Sequence, residues 1–270
     1  FFNTIKYLKF NQIYWRIIYL FPQIISSSKF YPKSILLNLK ADFISKKEFT
    51  KDFNVFTFLS ETHSLNEIGW NNSHISKLWM YNLHYFDFLI QKNLSSGQLE
   101  LQTKLINNWI DNNPFGQGIG WEPYPTSLRI INWIKWDWSK NKLSEKAKLS
   151  LWNQVKWLLN RPEYHLLGNH LFVNSKALIF AVVYFNLEKN SRIFVTANNI
   201  LKKQLNEQFL IDGGHFELSP MYHSLIIEDM LDLLNISEIL PEIFPKKLIK
   251  KKYLQSIYWL SLFVYEKGEL

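Results

Sequence analysis

Two short stretches hold most of the side chains in this sequence that could move protons or grip a polar ligand. Residues 212–223 pack five ionisable groups, Asp212, His215, Glu217, Tyr222 and His223, into twelve positions. Residues 166–174 place Gly168 ahead of Asn169 and His170, which then open an apolar run. The spacing of His215, Glu217 and His223 matches neither His-Glu-x-x-His nor a zinc-finger pattern, so no metal is expected. Ser219 and Ser224 lack the Gly-x-Ser-x-Gly elbow of a serine hydrolase. Paired carboxylates drawn from Glu122, Asp212 and Glu217 would suit glycoside hydrolysis. The third chemistry is β-elimination from a uronic acid. Removing the proton α to a carboxylate requires donors that neutralise that carboxylate, a base for C5 and an acid for the leaving oxygen. Asn169 with His170 offers a neutral donor beside a titratable one, and Tyr222 with His223 offers base and acid. Adjacent helical residues point about 100° apart, so one of each pair faces a cleft more fully than the other.

The elements that must position these groups are helices. Apolar residues recur at helical spacing over 75–91 and 99–112, where Leu101, Leu105, Trp109 and Ile110 are expected to face inward. Further helices are expected over about 126–138, capped by Thr126 or Ser127, then 144–160, 170–185, 191–209, 224–240 and 247–266. Residues 51–59 alternate as a short strand would. In the N-terminal region Ile5, Leu8, Ile13, Ile17 and Leu20 are expected to form one face of a helix that lies on the main body. The result is an all-α chain of helical hairpins, a toroid of helix pairs or an open solenoid, with no fixed-period repeat. Loops 113–126, 161–170 and 211–223 recur at alternate helix junctions, which in a toroid share one face. Glycines 116, 118 and 120 have no Gly-Lys-Ser/Thr ending and no preceding strand, so a phosphate loop is excluded.

Composition narrows the partners. The chain has 270 residues, with 47% hydrophobic and 17% aromatic content, which excludes general disorder. Those rings suit thick core packing and also a carbohydrate cleft, where flat faces stack on sugars. A net charge of +8 fits an anionic partner. The basic residues are dispersed and no nucleic-acid motif is present, so nucleic acid is not expected. The absence of cysteine excludes disulfides and thiolate sites. No stretch reaches 18 apolar residues and no signal peptide is visible.

Four words in order, residues 79–88, 121–133, 166–174 and 212–223, resemble the heparinase II/III-like polysaccharide lyases, in particular members found among bacterial surface-polysaccharide genes. The resemblance is clear from about residue 65 to 245. It implies an incomplete (α/α) toroid over 61–270, with 1–60 as a basic, aromatic segment packed on it. It also implies a β-sandwich beyond the chain's end, so the chain is expected to be a fragment lacking that domain and the catalytic His it supplies. Asn169 is implied to neutralise the substrate carboxylate and Tyr222 to act as base, acid or both. Related alginate lyases use an Asn-His pair at this place, which brings in His170. Trp79, Tyr81, His84, Trp121, Tyr124 and Arg129 are expected to contact substrate, together with His215, Glu217 and His223. Arg129 is the expected fork for a sugar carboxylate. The implied function is cofactor-free β-elimination on an anionic, uronate-containing polysaccharide, a glycosaminoglycan included. The resemblance places it in the periplasm or envelope, and the sequence is also compatible with the cytoplasm. A non-catalytic glycan binder and a glycoside hydrolase on the same fold are the other readings.

Overall fold

The structure, a computed structural model, describes residues 9–21, 24–35, 43–46, 49–50, 52–91, 94–139, 143–166, 168–238 and 245–263. Helices dominate the described residues: α1 Phe10–Ile18, α2 Leu65–Ile68, α3 Lys77–Tyr85, α4 Ser96–Asn112, α5 Pro123–Trp138, α6 Glu145–Asn160, α7 Gly168–Tyr184, α8 Arg192–Glu207, α9 Pro220–Ser237 and α10 Lys246–Ser261. The expected all-α class holds. The chain packs as two compact units interleaved in sequence. One comprises residues 23–162 and 180–187 and is called the aromatic unit below. The other comprises 1–22, 163–179 and 188–270 and is called the cavity unit.

In the aromatic unit, α5 is buried on nearly every side after its first turn. It runs through the core, and carries Ile130, Ile131, Trp133, Ile134, Trp136 and Trp138 there. Trp109 of α4 lies tilted against Trp121 at 5.8 Å and meets Trp133 edge to face at 5.7 Å, and Trp121 meets Trp157 edge to face at 5.9 Å. Each such edge-on pair adds about 0.5–1.5 kcal/mol beyond simple burial. Here the aromatic content serves packing.

Polar residues of α5 are answered inside the unit. Asn132 donates to the Tyr85 carbonyl at 2.9 Å and the Asp87 carboxylate at 2.8 Å. Asp137 accepts from the Tyr184 hydroxyl at 2.6 Å and the Leu143 amide at 2.5 Å. Arg129 donates to Gln154 at 2.9 Å and to the His84 carbonyl at 3.3 Å, and its guanidinium lies 3.9 Å from the Trp109 ring centroid.

Three expectations need correction here. The α5 cap is Glu122, with Pro123 in the first turn. Thr126 and Ser127 lie inside the helix, donating to the carbonyls of Gly120 and Pro123. Proline has no N–H to satisfy and its fixed φ starts the helix three residues early. The strand sits at Val55–Phe58 and pairs antiparallel with Glu61–Ser64, a partner the sequence did not signal. Leu59 and Ser60 make the two-residue turn with φ of +53° and +65°, a conformation usually marked by Asn-Gly. On α4, Leu101 is exposed while Gln102 turns inward to bond the Phe88 carbonyl and the Trp136 indole.

In the cavity unit, serine side chains cap α8 (Ser191) and α9 (Ser219). Lys176 of α7 is buried between Asp229 and Asp232 of α9, at 2.7 and 2.5 Å, which bolts the two helices together. The N-terminal helix α1 does not pack by the expected face. Ile17 and Leu20 are exposed, and Ile5 and Leu8 lie outside the described residues. Instead Trp15 stacks on Tyr164 at 4.7 Å, and Gln12 donates to the His165 carbonyl at 3.3 Å.

The packing of Arg129 yields a stability prediction. Arg129→Ala should lower the unfolding free energy by about 3–5 kcal/mol, by emptying a buried site and orphaning its acceptors. Urea denaturation measures it, and a loss below about 1 kcal/mol would contradict this packing role.

Candidate functional site

The helix α7 begins abruptly, and the site is built around its first turn. Gly168 takes φ of +60°, and a Cβ there would stand 3.1 Å from Glu217 Oε1. Glycine is therefore needed for the backbone turn, and its missing side chain leaves room for the carboxylate. The Gly168 carbonyl accepts from Gln208 Nε2 at 2.7 Å, which ties the start of α7 to the end of α8.

Loop 208–219 folds back on itself as a tight hairpin. Phe209 and His215 pair as an antiparallel bridge, and Leu210 N donates to the Gly214 carbonyl at 2.9 Å. Gly213, with φ of +94°, lies against the α10 backbone, where a Cβ would come within 2.5 Å of the Gln255 carbonyl oxygen. Both histidines of the loop serve it. His223 Nδ1 accepts from the His215 amide at 3.1 Å, and Nε2 donates to the Ser256 carbonyl at 2.9 Å. His215 Nε2 meets Gln208 Oε1 at 3.0 Å. Burial pulls the His215 pKa down to about 4, helped by neighbouring His223.

A cavity of about 490 Å³ opens where these pieces meet, lined by Lys9, Gln12, Leu166, Gly168, Asn169, His170, Gln204, Glu207, Gln208, Phe216 and Glu217. Residues from 161–170 and from 211–223 thus share one cavity, with Asn169, His170 and Glu217 on its wall. The Asn169 carboxamide has no hydrogen-bond partner among the described residues. Lys9 pairs with Glu207 at 3.6 Å at another part of the lining. Behind His170 lies Glu163, 5% exposed, whose Oε1 is 3.2 Å from His170 Nδ1. Glu163 was not anticipated from the sequence; an acid seven residues before a histidine across a loop follows no periodic rule.

Tyr222 stands on the first turn of α9 with 37% of its surface exposed, outside the lining of the cavity. Its neighbour His223 is fully buried, so the adjacent pair diverges as helical geometry requires.

Several expected substrate contacts are interior residues instead. His215 and His223 are buried clamps of the loop. Trp79 is fully buried, donating its indole N–H to the Glu61 carbonyl at 3.1 Å. His84 is fully buried, accepting from the Trp109 indole at 2.9 Å on Nδ1 and donating to the Trp70 carbonyl at 2.8 Å. Burial, then the Arg129 charge, lowers its pKa to about 3. Trp121 is 4% exposed among Trp109, Phe115 and Trp157, and Arg129 is inaccessible, so its fork is closed to a sugar carboxylate. These residues fill a core because their aromatic and planar surfaces stack best on one another. Tyr81 and Tyr124 remain partly exposed in the aromatic unit. Tyr81 hydrogen-bonds Glu122, which also pairs with Lys77 at 2.9 Å, and Tyr124 meets Tyr85 edge-on at 5.8 Å. Asp212 caps the Gly214 amide at 2.9 Å.

Among the described residues no three histidine, aspartate or glutamate side chains converge to hold a metal ion, and no helix is long and apolar enough to cross a membrane. The sequence matches the Heparinase II/III N-terminus family over residues 37–258. The chain belongs to that family. A heparin-sulfate lyase of Bacteroides stercoris is 32% identical over 77 residues, covering 28% of this chain and 12% of that protein. One from Bacteroides thetaiotaomicron is 26% identical over 147 residues, covering 50% of this chain and 21% of that protein. The chain therefore spans only a small part of these relatives. The crystal structure of heparan sulfate lyase HepC from Pedobacter heparinus superposes with a TM-score of 0.59 at 16% identity, over 84% of this chain and 41% of that one. At that identity the likeness establishes the fold, the helical toroid class of the heparinases.

The loop histidine gives this family member a pH signature. A folded pKa held below the ordinary 6.5 means the unfolded chain binds the proton more readily. The His215 contribution is complete above about pH 6.5 and is lost as pH falls from there to about 4. The urea midpoint should fall across that window, and His215→Gln should flatten the fall. An unchanged slope in the variant would remove His215 as its source.

Proposed function

We propose that this chain carries the substrate-binding helical region of a polysaccharide lyase that cleaves a uronate-containing glycan by β-elimination. One observation carries the reading: Asn169, its carboxamide unengaged among the described residues, and His170 stand side by side on the wall of one cavity in a chain of this family. The amide N–H groups of Asn169 donate to the substrate carboxylate and stabilise the charge that develops on it as the C5 proton leaves. The C5–H electron pair becomes the C4–C5 π bond, and the C4–O4 pair departs with the leaving oxygen, which takes a proton. His170 and Tyr222 divide the roles of base and acid. His223 has no part in proton transfer, since both its ring nitrogens are engaged in the core. Phe216, which lines the cavity and is exposed, offers a stacking face for a sugar. A glycan of this kind is met in the periplasm or envelope, where we place the activity.

Elimination leaves a C4–C5 double bond conjugated to the carboxylate, which absorbs in the near ultraviolet; hydrolysis leaves none. The full-length protein, offered uronate glycosaminoglycans without added metal, should generate that absorbance. Asn169→Ala should reduce the rate about 10²–10³-fold through loss of an oxyanion donor. Tyr222→Phe should abolish turnover while retaining binding. New reducing ends without absorbance would instead favour hydrolysis by Glu207 and Glu217, which line the same cavity. Binding with neither signal would favour a non-catalytic glycan receptor.

A further inference from the structure

The N-terminal helix α1 turns one side to the protein and an apolar side to solvent. Gln12, Trp15 and Tyr19 seat it. Gln12 donates to the His165 carbonyl at 3.3 Å, Trp15 stacks on Tyr164 at 4.7 Å, and Tyr19 meets the His165 ring edge-on at 5.3 Å. At about 100° per residue these three point within roughly 60° of one another, and Phe10, Tyr14 and Ile17 point nearly the opposite way. Those three are exposed, Phe10 to 84%. The chain runs on through Leu20 N to the Ile17 carbonyl and Phe21 N to the Ile18 carbonyl, both at 3.1 Å. That turn adds Leu20, 81% exposed, and Phe21 to the stripe. Five large apolar side chains between positions 10 and 21 thus stand in water on a firmly seated helix. An apolar patch of this kind marks an interaction site.

Charge identifies what the stripe meets. Residues 1–41 carry six cations, Lys6, Lys9, Arg16, Lys29, Lys33 and Lys40, and no Asp or Glu. On α1 itself Lys9 and Arg16 are exposed along one flank of the stripe. Lys9 reaches Glu207 at 3.6 Å with 65% of its side chain still exposed. A second copy meeting the stripe face to face would set Arg16 beside the same cations, with no carboxylate of the segment to answer them. An anionic lipid surface answers both features: apolar side chains enter the acyl boundary, and long cations reach up to the phosphates. The nine residues of α1 rise about 14 Å against a hydrocarbon core of about 30 Å, so the helix lies on the bilayer and does not cross it.

We propose that the exposed face of α1 docks this protein on an anionic membrane surface. Phe10, Tyr14, Ile17, Leu20 and Phe21 enter the interface, and Arg16 meets headgroup phosphates. The proposal does not depend on the lyase reading. It does place the cavity, because Gln12 lines it from the far side of the same helix. The bilayer then lies one helix diameter, about 10–12 Å, from that wall.

Co-sedimentation with vesicles tests the docking. The full-length protein should pellet with vesicles of equal parts phosphatidylglycerol and phosphatidylcholine, and binding should fall as salt is raised. Vesicles of phosphatidylcholine alone should retain much less. Phe10→Ser combined with Ile17→Ser should weaken binding to the anionic vesicles at least about tenfold, since two apolar side chains no longer leave water. Arg16→Gln should weaken it about fivefold. All three positions are exposed, so the melting temperature should hold. Leu254→Ser with Tyr258→Ser, at exposed apolar positions of α10, should bind as the wild type does. The proposal is overturned if the wild-type protein stays in the supernatant, if the α1 pair binds undiminished, or if the α10 pair loses as much. It is overturned as well if light scattering shows a wild-type dimer that the α1 pair converts to a monomer, which would make the stripe an interface between copies.

Discussion

Burying the Arg129 guanidinium is the most demanding step in the packing of the aromatic unit. Among the described residues it has no carboxylate partner within ion-pair distance, and burial pulls its pKa down. A charged group taken from water costs several kcal/mol unless its donors are met. Gln154, the His84 carbonyl and Thr126 take N–H groups, and the Trp109 face receives the cation's plane. Each partner is fixed by another. Trp109 is held by its indole bond to His84, and His84 must stay neutral to accept it. A proton on His84 would place a second cation beside Arg129 and leave the indole N–H without an acceptor. The tryptophan cluster therefore follows from how one cation is housed, as well as from apolar burial.

The same requirement sorts the cavity unit. Loop 208–219 is rich in groups of catalytic type, yet most are engaged in holding it. His223 joins the loop to α10, His215 joins it to Gln208, and Asp212 closes its turn. A buried polar group left unmet costs more than its hydrogen bond returns when made, so these contacts are stringent. What is left over after this sorting is short. Asn169 has an unengaged amide, Tyr222 an exposed ring, and Glu217 no ion pair among the described residues. Function is best sought among residues that stability does not already use.

The sequence made the helices legible because apolar spacing and serine caps agree at Ser144 and Ser191, while α9 starts at Pro220 behind Ser219, four residues ahead of the expected position. Residue types at the α7 turn and the 212–223 loop drew attention to two segments whose residues the fold brings to one cavity. Burial was harder to read. Trp79, His84, Trp121 and Arg129 carry polar tips that suit a sugar cleft, and only the folded packing shows each tip answered by a core partner. Nothing in the local pattern distinguishes the two uses. The Leu59-Ser60 turn was missed because neither residue advertises a positive φ. Glu163 was missed because its link to His170 spans a loop, where no helical or strand period applies.

The charge of the cavity bears on why an amide, and not a cation, stands at position 169. Of the two carboxylates on the lining, Glu207 is offset by Lys9, while Glu217 lies against the start of α7. A uronate carboxylate brought within about 4 Å of Glu217 would meet repulsion of about 4 kcal/mol at an effective dielectric near 20. On the β-elimination reading, the sugar carboxylate is therefore held at Asn169 out of close contact with Glu217. A lysine or arginine at 169 would find Glu217 a permanent partner and be drawn to it in the absence of substrate. A neutral amide has no such competitor, keeps its N–H groups open, and strengthens its bond only as negative charge builds on the substrate. Hydrogen bonding that strengthens with the charge on the substrate then favours the anion, so the cavity can receive it without being strongly cationic itself.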